Sequence, residues 1–178
     1  MFLRKENAME KKKSFYIALY TVLVALMVVW DQISKAHIVK YLKGRENIVW
    51  IKNVFELEYL ENNGAAFSSF SGKQAFLLIL TVAVLLFCVF EFVRIPVGKH
   101  YAGLRISFAM LIGGALGNMI DRFKQGYVVD FFYFVPVNFP RFNVADIFVT
   151  CSMILLCILV IFVYKDEETE FLFKFKKK

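Results

Sequence analysis

Apolar residues gather in four windows along the chain, and polar residues gather between them. The first window runs from Phe15 to Trp30, and the second from Ala75 to Val93, with Glu91 as its one charge. The third runs from Leu104 to Ile120 and is rich in Gly and Ala; the fourth runs from Val144 to Tyr164, with Asp146 near its start. Each approaches the roughly 20 residues needed to cross about 30 Å of hydrocarbon. With their flanks they predict membrane-spanning helices over residues 14–33, 75–93, 104–121 and 144–164. A basic stretch precedes the first window, as it does in a secretory leader, but no small-x-small cleavage pattern follows. The run ends Val28-Val29-Trp30-Asp31-Gln32, so it is expected to stay as a span.

The connections differ in kind. Between the first two windows lie about 44 residues, long for a simple link. Ile48 to Ile51 and Val54 to Leu60 are rich in strand formers, and the second partly alternates apolar and acidic positions. They predict a small antiparallel sheet with one face toward lipid or the helices. Glu61-Asn62-Asn63-Gly64 is a turn signal, after which Ala65 to Phe70 is expected to return along the membrane surface. The link from Asp121 to Asn143 holds Tyr127-Val128-Val129-Asp130-Phe131-Phe132-Tyr133-Phe134, then Pro136 and Pro140. Aromatics at that density suit the headgroup level.

Composition fits this picture. In 178 residues, 59% are hydrophobic and 21 are Phe, more apolar surface than a soluble chain of this size can hide. The fold class expected is an all-α membrane protein: one domain, a four-helix bundle with a small extracytoplasmic β-cradle. The net charge of +7 would suggest nucleic acid in a soluble protein, but the basic residues flank apolar segments, so anionic lipid explains them better. Arg4, Lys5 and Lys11 to Lys13 precede the first window; Arg94, Lys99 and Arg105 surround the short second link; Lys165 and Lys174 to Lys178 follow the fourth. Four spans put these regions on one side, which the positive-inside bias makes cytoplasmic. The loop from Asp31 to Gln74 has six basic residues but also five acidic ones, a weaker bias. Both termini are therefore expected inside and the two longer loops outside.

That orientation gathers Asp31, Asp121, Asp130 and Asp146 at one membrane face, where acids are costly unless paired, wet or used. The plainer readings are helix-end anchoring, a dipole contact for Asp146 and a surface pair for Asp121 with Arg122. Two carboxylates sharing a site could instead run hydrolysis, one ionised and activating water, the other protonated. Arg122 beside Asp121 would favour its ionisation if the side chains meet. Asp130 and Asp146 have apolar sequence neighbours and make the better pair. Asn118, one turn before Asp121, and Asn143, three before Asp146, are placed to orient acids, and the Asn143 spacing also suits a helix cap. Asn62 and Asn63 occupy the turn of the first loop. Gly113 and Gly117, with Gly114 between them, read as a close-packing face. Cys88, Cys151 and Cys157 lie inside apolar windows and read as small buried thiols, and His37 and His100 are too far apart for a convincing zinc site.

Five stretches together carry a resemblance: Asp31-Gln32-Ile33-Ser34-Lys35; Glu61-Asn62-Asn63-Gly64-Ala65-Ala66-Phe67-Ser68; Gly113-Gly114-Ala115-Leu116-Gly117-Asn118-Met119-Ile120-Asp121-Arg122; Val128-Val129-Asp130-Phe131; and Phe142-Asn143-Val144-Ala145-Asp146. In this order, against four spans, the chain closely resembles the bacterial lipoprotein signal peptidases. The resemblance implies an aspartic endopeptidase of the bacterial cytoplasmic membrane, with its site near the extracytoplasmic face. It would cut signal peptides from diacylglyceryl-modified prolipoproteins just before the lipidated cysteine. It implies no metal or other cofactor, and no partner beyond substrate and membrane lipid. By motif position the catalytic pair falls on Asp130 and Asp146. The other functional positions fall on Asp31, Lys35, Asn62, Gly114, Asn118, Asp121, Arg122, Asn143 and Ala145. Tyr133 to Arg141 stands out as idiosyncratic. A small channel would need a polar path that these spans hardly offer, and a non-enzymatic lipid-binding scaffold would tolerate loss of both Asp130 and Asp146; the resemblance places both readings behind the peptidase.

Overall fold

The computed structural model describes residues 2–64 and 74–172; the expected surface return over Ala65 to Phe70 lies outside the described residues. Helix α1 (Phe2–Leu42) is followed by strands β1 (Ile48–Ile51) and β2 (Phe55–Asn62), then helices α2 (Gln74–Arg94) and α3 (Ala102–Gln125). Strand β3 (Val128–Phe134) leads through a 3-10 turn at Val135–Val137 to α4 (Val144–Ile158), a π-helical turn at Leu159–Val163 and the short α5 (Asp166–Thr169). Four of these helices are long and apolar enough to cross a membrane. The protein is thus a multi-pass membrane protein: a four-helix bundle with a small open sheet at one end.

The bundle is arranged around α3. Half of its apolar window is buried, whereas α1, α2 and α4 expose most of theirs. Leu26, Ile79, Leu86 and Phe162 are among the large apolar side chains on the outside, as hydrocarbon solvent demands. At 41 residues, α1 is about 60 Å long, roughly twice the hydrocarbon thickness. Its sheet-end half buries Asp31, Lys35, Ile38 and Leu42, a stripe at helical spacing that turns from charged to apolar as it leaves α3 for the sheet.

Small residues let the helices meet. A Cβ on Gly114 would lie 2.5 Å from the Ala145 carbonyl oxygen, and one on Gly117 would lie 2.5 Å from an Asp31 carboxylate oxygen. Gly113 faces α1, where an added Cβ would lie 3.1 Å from Met27 Cβ and 3.3 Å from its sulfur. The close face expected at Gly113 and Gly117 is therefore shared: Gly113 meets α1, Gly114 meets α4, and Gly117 meets both.

The sheet has order β1-β2-β3, with both pairings antiparallel. The first two strands match the sequence expectation closely. The third comes from the second loop, where only an aromatic interfacial stretch was expected. Val128, Val129, Asp130 and Phe131 are all buried, so both faces of β3 are covered and no alternation marks it. Val129 and Phe131 pack with Ile38, Leu42 and Val144, fastening the sheet to the ends of α1 and α4. Gly126 ends α3 in the left-handed region at φ 79°, its N–H donating to the Arg122 carbonyl, and this reversal aims the chain into β3.

The cysteine expectation needs correction. Cys88 is buried, but Cys151 and Cys157 are exposed on α4, which in a membrane span means facing lipid or a cleft rather than a core.

Gly117→Ala should lower stability by about 1–3 kcal/mol, because the Asp31 carboxylate it would strike is held in place. Gly113→Ala should cost clearly less, since its nearest neighbour, Met27 Cβ at 3.1 Å, need give by only a few tenths of an ångström. Thermal midpoints of both variants in detergent check this; equal midpoints would contradict it.

Candidate functional site

The four aspartates at the sheet end, Asp31, Asp121, Asp130 and Asp146, divide into two linked groups. In the first, Lys35 Nζ lies 2.8 Å from Asp31 Oδ2 and 3.0 Å from Asp121 Oδ2, with all three side chains buried. The same ammonium donates to Asn118 Oδ1 at 2.9 Å. Asp31 Oδ1 accepts the Ala145 backbone N–H at 2.9 Å, which ties α1 to the first turn of α4. Asp121 Oδ2 accepts the Val129 N–H at 3.2 Å, which ties α3 to β3. Gln32 donates to Asp121 Oδ1 at 2.8 Å and to the Gly117 carbonyl at 3.2 Å.

The Asp121–Arg122 surface pair, one of the plainer readings, is not among the described ion pairs. Asp121 takes Lys35 as its cation, while Arg122 donates to the carbonyls of Asn118 and Gly64. Consecutive helical residues project about 100° apart, so adjacency in sequence set them facing different neighbours. Gln32 was missed as a site residue, although it stands in the first motif; its spacing from Asp31 gives no physical hint of a contact across to α3.

The second group is Asp130 and Asp146. Asp130 sits in β3, 2% exposed, and accepts from Asn143 Nδ2 and Asn62 Nδ2, each at 2.7 Å. Asp146 sits at the third position of α4 and accepts from Asn118 Nδ2 at 2.8 Å and from the Asn143 backbone N–H at 3.0 Å. The Asn143 side-chain oxygen accepts the Asp146 N–H in return, completing a capping box. The plain reading of Asn143 and Asp146 as a helix cap is therefore correct, and it coexists with a second use: the same Asn143 amide reaches Asp130 and the Asn118 oxygen.

Burial and the nearby charge of Asp146 push the Asp130 carboxyl up to about 7, against the opposing bonds from Asn62 and Asn143. At neutral pH this acid lies near its midpoint between charged and neutral forms. Its partner Asn62 is itself held. Its oxygen accepts the Gly64 N–H, and next to it in β2, Glu61 binds Lys43 and Tyr59. The Lys43 hydrogen bond is the largest cause holding the Glu61 carboxyl below its ordinary range.

Asp130 and Asp146 line one cavity of about 460 Å³, together with Asn62, Asn118 and Arg122. Its other walls, including Phe139, Pro140, Phe142, Ile147 and Val149, are largely apolar. Asp31, Lys35 and Asp121 lie behind this cavity rather than in it. Gly114 and Ala145 contribute closeness: Ala145 is fully buried between Gly114 and Asp31.

Residues 23–162 match the family profile described as Signal peptidase (SPase) II. The chain belongs to the signal peptidase II family. Among similar proteins, the lipoprotein signal peptidase of Clostridium tetani is 41% identical over 153 residues, 84% of this chain and 94% of its own length. That of Lactococcus lactis subsp. lactis is 42% identical over 151 residues, 84% and 95% of the two chains. A solved bacterial membrane enzyme, determined by the in meso method at 2.3 Å resolution, superposes with a TM-score of 0.71 at 29% identity, over 91% of this chain and 95% of that one. A second, at 1.9 Å, gives 0.71 at 31% identity, over 83% and 96%. As a member of the signal peptidase II family, this chain is a membrane peptidase, and the matched residues include both carboxylate groups.

Removing the cation of the first group would leave two carboxylates buried without it. Lys35→Met should therefore destabilise the protein by about 3–5 kcal/mol. Unfolding in detergent measures this, and a midpoint equal to wild type would show that the network carries little stability.

Proposed function

We propose that this signal peptidase II family member is an aspartic endopeptidase. It removes the signal peptide from diacylglyceryl-modified prolipoproteins, cutting on the N-terminal side of the lipidated cysteine. The observation that carries the reading is the pair Asp130 and Asp146, opening on one cavity and joined through Asn143. The relatives' shared name, lipoprotein signal peptidase, supports the substrate class.

In the proposed reaction the pair holds one proton between its two carboxyl groups. The ionised carboxylate takes a proton from a water molecule, whose oxygen attacks the scissile carbonyl carbon. The protonated carboxyl donates to the carbonyl oxygen as charge develops there. Collapse of the tetrahedral species passes a proton to the amide nitrogen, breaks the C–N bond and returns the pair to one proton. Asn62 and Asn143 orient Asp130, and Asn118 and the Asn143 backbone N–H orient Asp146. Lys35, Asp31 and Asp121 hold the strand and helix that carry them. The scissile segment must leave helical form to react, because helical carbonyls are already hydrogen-bonded. The basic flanks support an orientation with both termini cytoplasmic and the cavity toward the opposite face of the cytoplasmic membrane, so the acyl chains would remain in the outer leaflet.

Asp130→Asn and Asp146→Asn should each give folded, membrane-inserted protein that does not cleave a lipidated precursor. Mass spectrometry of the products checks this, with an unlipidated precursor beside it to test the lipid requirement. Turnover at the wild-type rate by either variant would sink the assignment of the pair.

The proton the pair needs is held below about pH 7 and lost above it, as the raised Asp130 value implies. On that sign, kcat/KM should fall as pH rises through about 7, approaching about tenfold per pH unit on the alkaline side. A rate that stays flat from pH 6 to 9 would contradict a shared proton with this midpoint.

A further inference from the structure

Between β3 and α4 the chain runs out and back, and its return leg walls the cavity. The leg is pinned to β3 through the backbone: Phe142 exchanges hydrogen bonds with Phe132, and the Phe139 N–H donates to the Phe134 carbonyl. Tyr133 adds a side-chain bond, its hydroxyl donating to Asn138. Phe139, Pro140, Arg141 and Phe142 then line the cavity in succession.

Arg141 makes a further connection. Its Nε and Nη2 donate to Glu58 Oε2 at 3.0 and 2.8 Å, and its guanidinium lies 3.9 Å from the centre of the Tyr133 ring. Glu58 is available because the register of β2 against β3 shifts between Leu57 and Leu60, a bulge that re-aims the side chains within it. The guanidinium is thus held by a carboxylate from β2 and an aromatic face from β3, two paired strands of the sheet. Both ion-pair side chains are roughly three-quarters shielded from solvent, which strengthens the contact relative to an exposed pair.

We propose that Arg141 is a positioning residue for substrate. By clamping the 139–142 leg to Glu58 and Tyr133, it sets the width of the apolar wall on which the unwound segment of the precursor is received. This rests on the reading of the cavity as the place where a prolipoprotein is cut. The clamp touches neither Asp130 nor Asp146 through any described hydrogen bond, so it governs how well substrate seats rather than the proton transfers. An Arg suits the role because its planar fork can bind a carboxylate edge-on while stacking on a ring, which Lys does poorly.

Steady-state cleavage of a lipidated precursor by the full-length protein in detergent tests this. Arg141→Ala should raise KM about three- to tenfold with kcat changed by less than about twofold. Glu58→Gln, nearly isosteric, should do the same, and it carries the test if Arg141→Ala fails to fold. The double variant should be little worse than either single one, because both remove one clamp. Exchanging the charges, with Glu58→Arg and Arg141→Glu together, should recover part of the lost KM, and Arg141→Lys should fall between Ala and wild type. An unchanged KM in both single variants would overturn the proposal. So would a raised KM in Arg141→Ala alone, which would make Arg141 a direct substrate contact, or a loss confined to kcat. Asp146→Asn run alongside separates the two readings: cleavage by that variant would defeat the catalytic assignment, whereas the Arg141 and Glu58 results judge the clamp.

Discussion

A single ammonium group, that of Lys35, reaches Asp31, Asp121 and Asn118 at 2.8, 3.0 and 2.9 Å, and the sheet end of the molecule is organised about it. Two carboxylates buried near the end of a membrane span repel each other and lose their hydration. Burying both without a cation between them would be costly. Once Lys35 fills that place, the remaining carboxylate lone pairs become fasteners. Asp31 receives the N–H of Ala145 at the start of α4, and Asp121 receives the N–H of Val129 at the start of β3. The strand and helix that carry Asp130 and Asp146 are therefore both anchored to the same ion network. The network stands behind the cavity and fixes where its acids point.

This arrangement depends on backbones approaching more closely than ordinary side chains permit. Asp31 can reach Ala145 because Gly117 leaves its carboxylate room, and α4 can lie against α3 because Gly114 leaves room for the Ala145 carbonyl. Without the glycines, the helices would stand farther apart and the hydrogen bonds between them would lengthen. Packing and electrostatics are thus the same constraint seen from two sides, which explains why Gly, Ala and Asp occur so near one another in these spans.

Much of this was legible in the residues. Four apolar windows announced four helices, because lipid leaves few other ways to satisfy a spanning backbone. The span count placed Asp31, Asp121, Asp130 and Asp146 at one end, and the turn at Asn62 and the cap spacing from Asn143 to Asp146 were readable locally. What escaped was long-range or hidden by burial. β3 lacks alternation because Val128 to Phe131 are all covered, so it read as a membrane-surface stretch. Arg122 drew attention as the cation beside Asp121, yet helical geometry turned it toward Gly64 and brought Lys35 from α1 instead. On residue physics alone, Lys35 was one basic residue among several in a loop. The resemblance marked it, but its contact across to α3 had no local signature. Arg141 stands within the idiosyncratic stretch from Tyr133 to Arg141, and its contact with Glu58 depends on the bulge in β2, which has no local signature.

Asn143 joins Asp146 to Asp130. Its backbone and side chain cap α4 through Asp146, while its side-chain amide reaches Asp130 and the oxygen of Asn118. A residue that only capped a helix could be replaced by Ser, Thr or Asp, each of which offers an oxygen to the free N–H groups. Those residues lack the amide hydrogens that bind a second carboxylate. Asp would add a further negative charge beside two existing acids, and Ser or Thr would have a single hydroxyl hydrogen to share. Asn supplies both an acceptor for the helix and donors for the strand, so one side chain links the start of α4 to β3 without adding charge between Asp130 and Asp146.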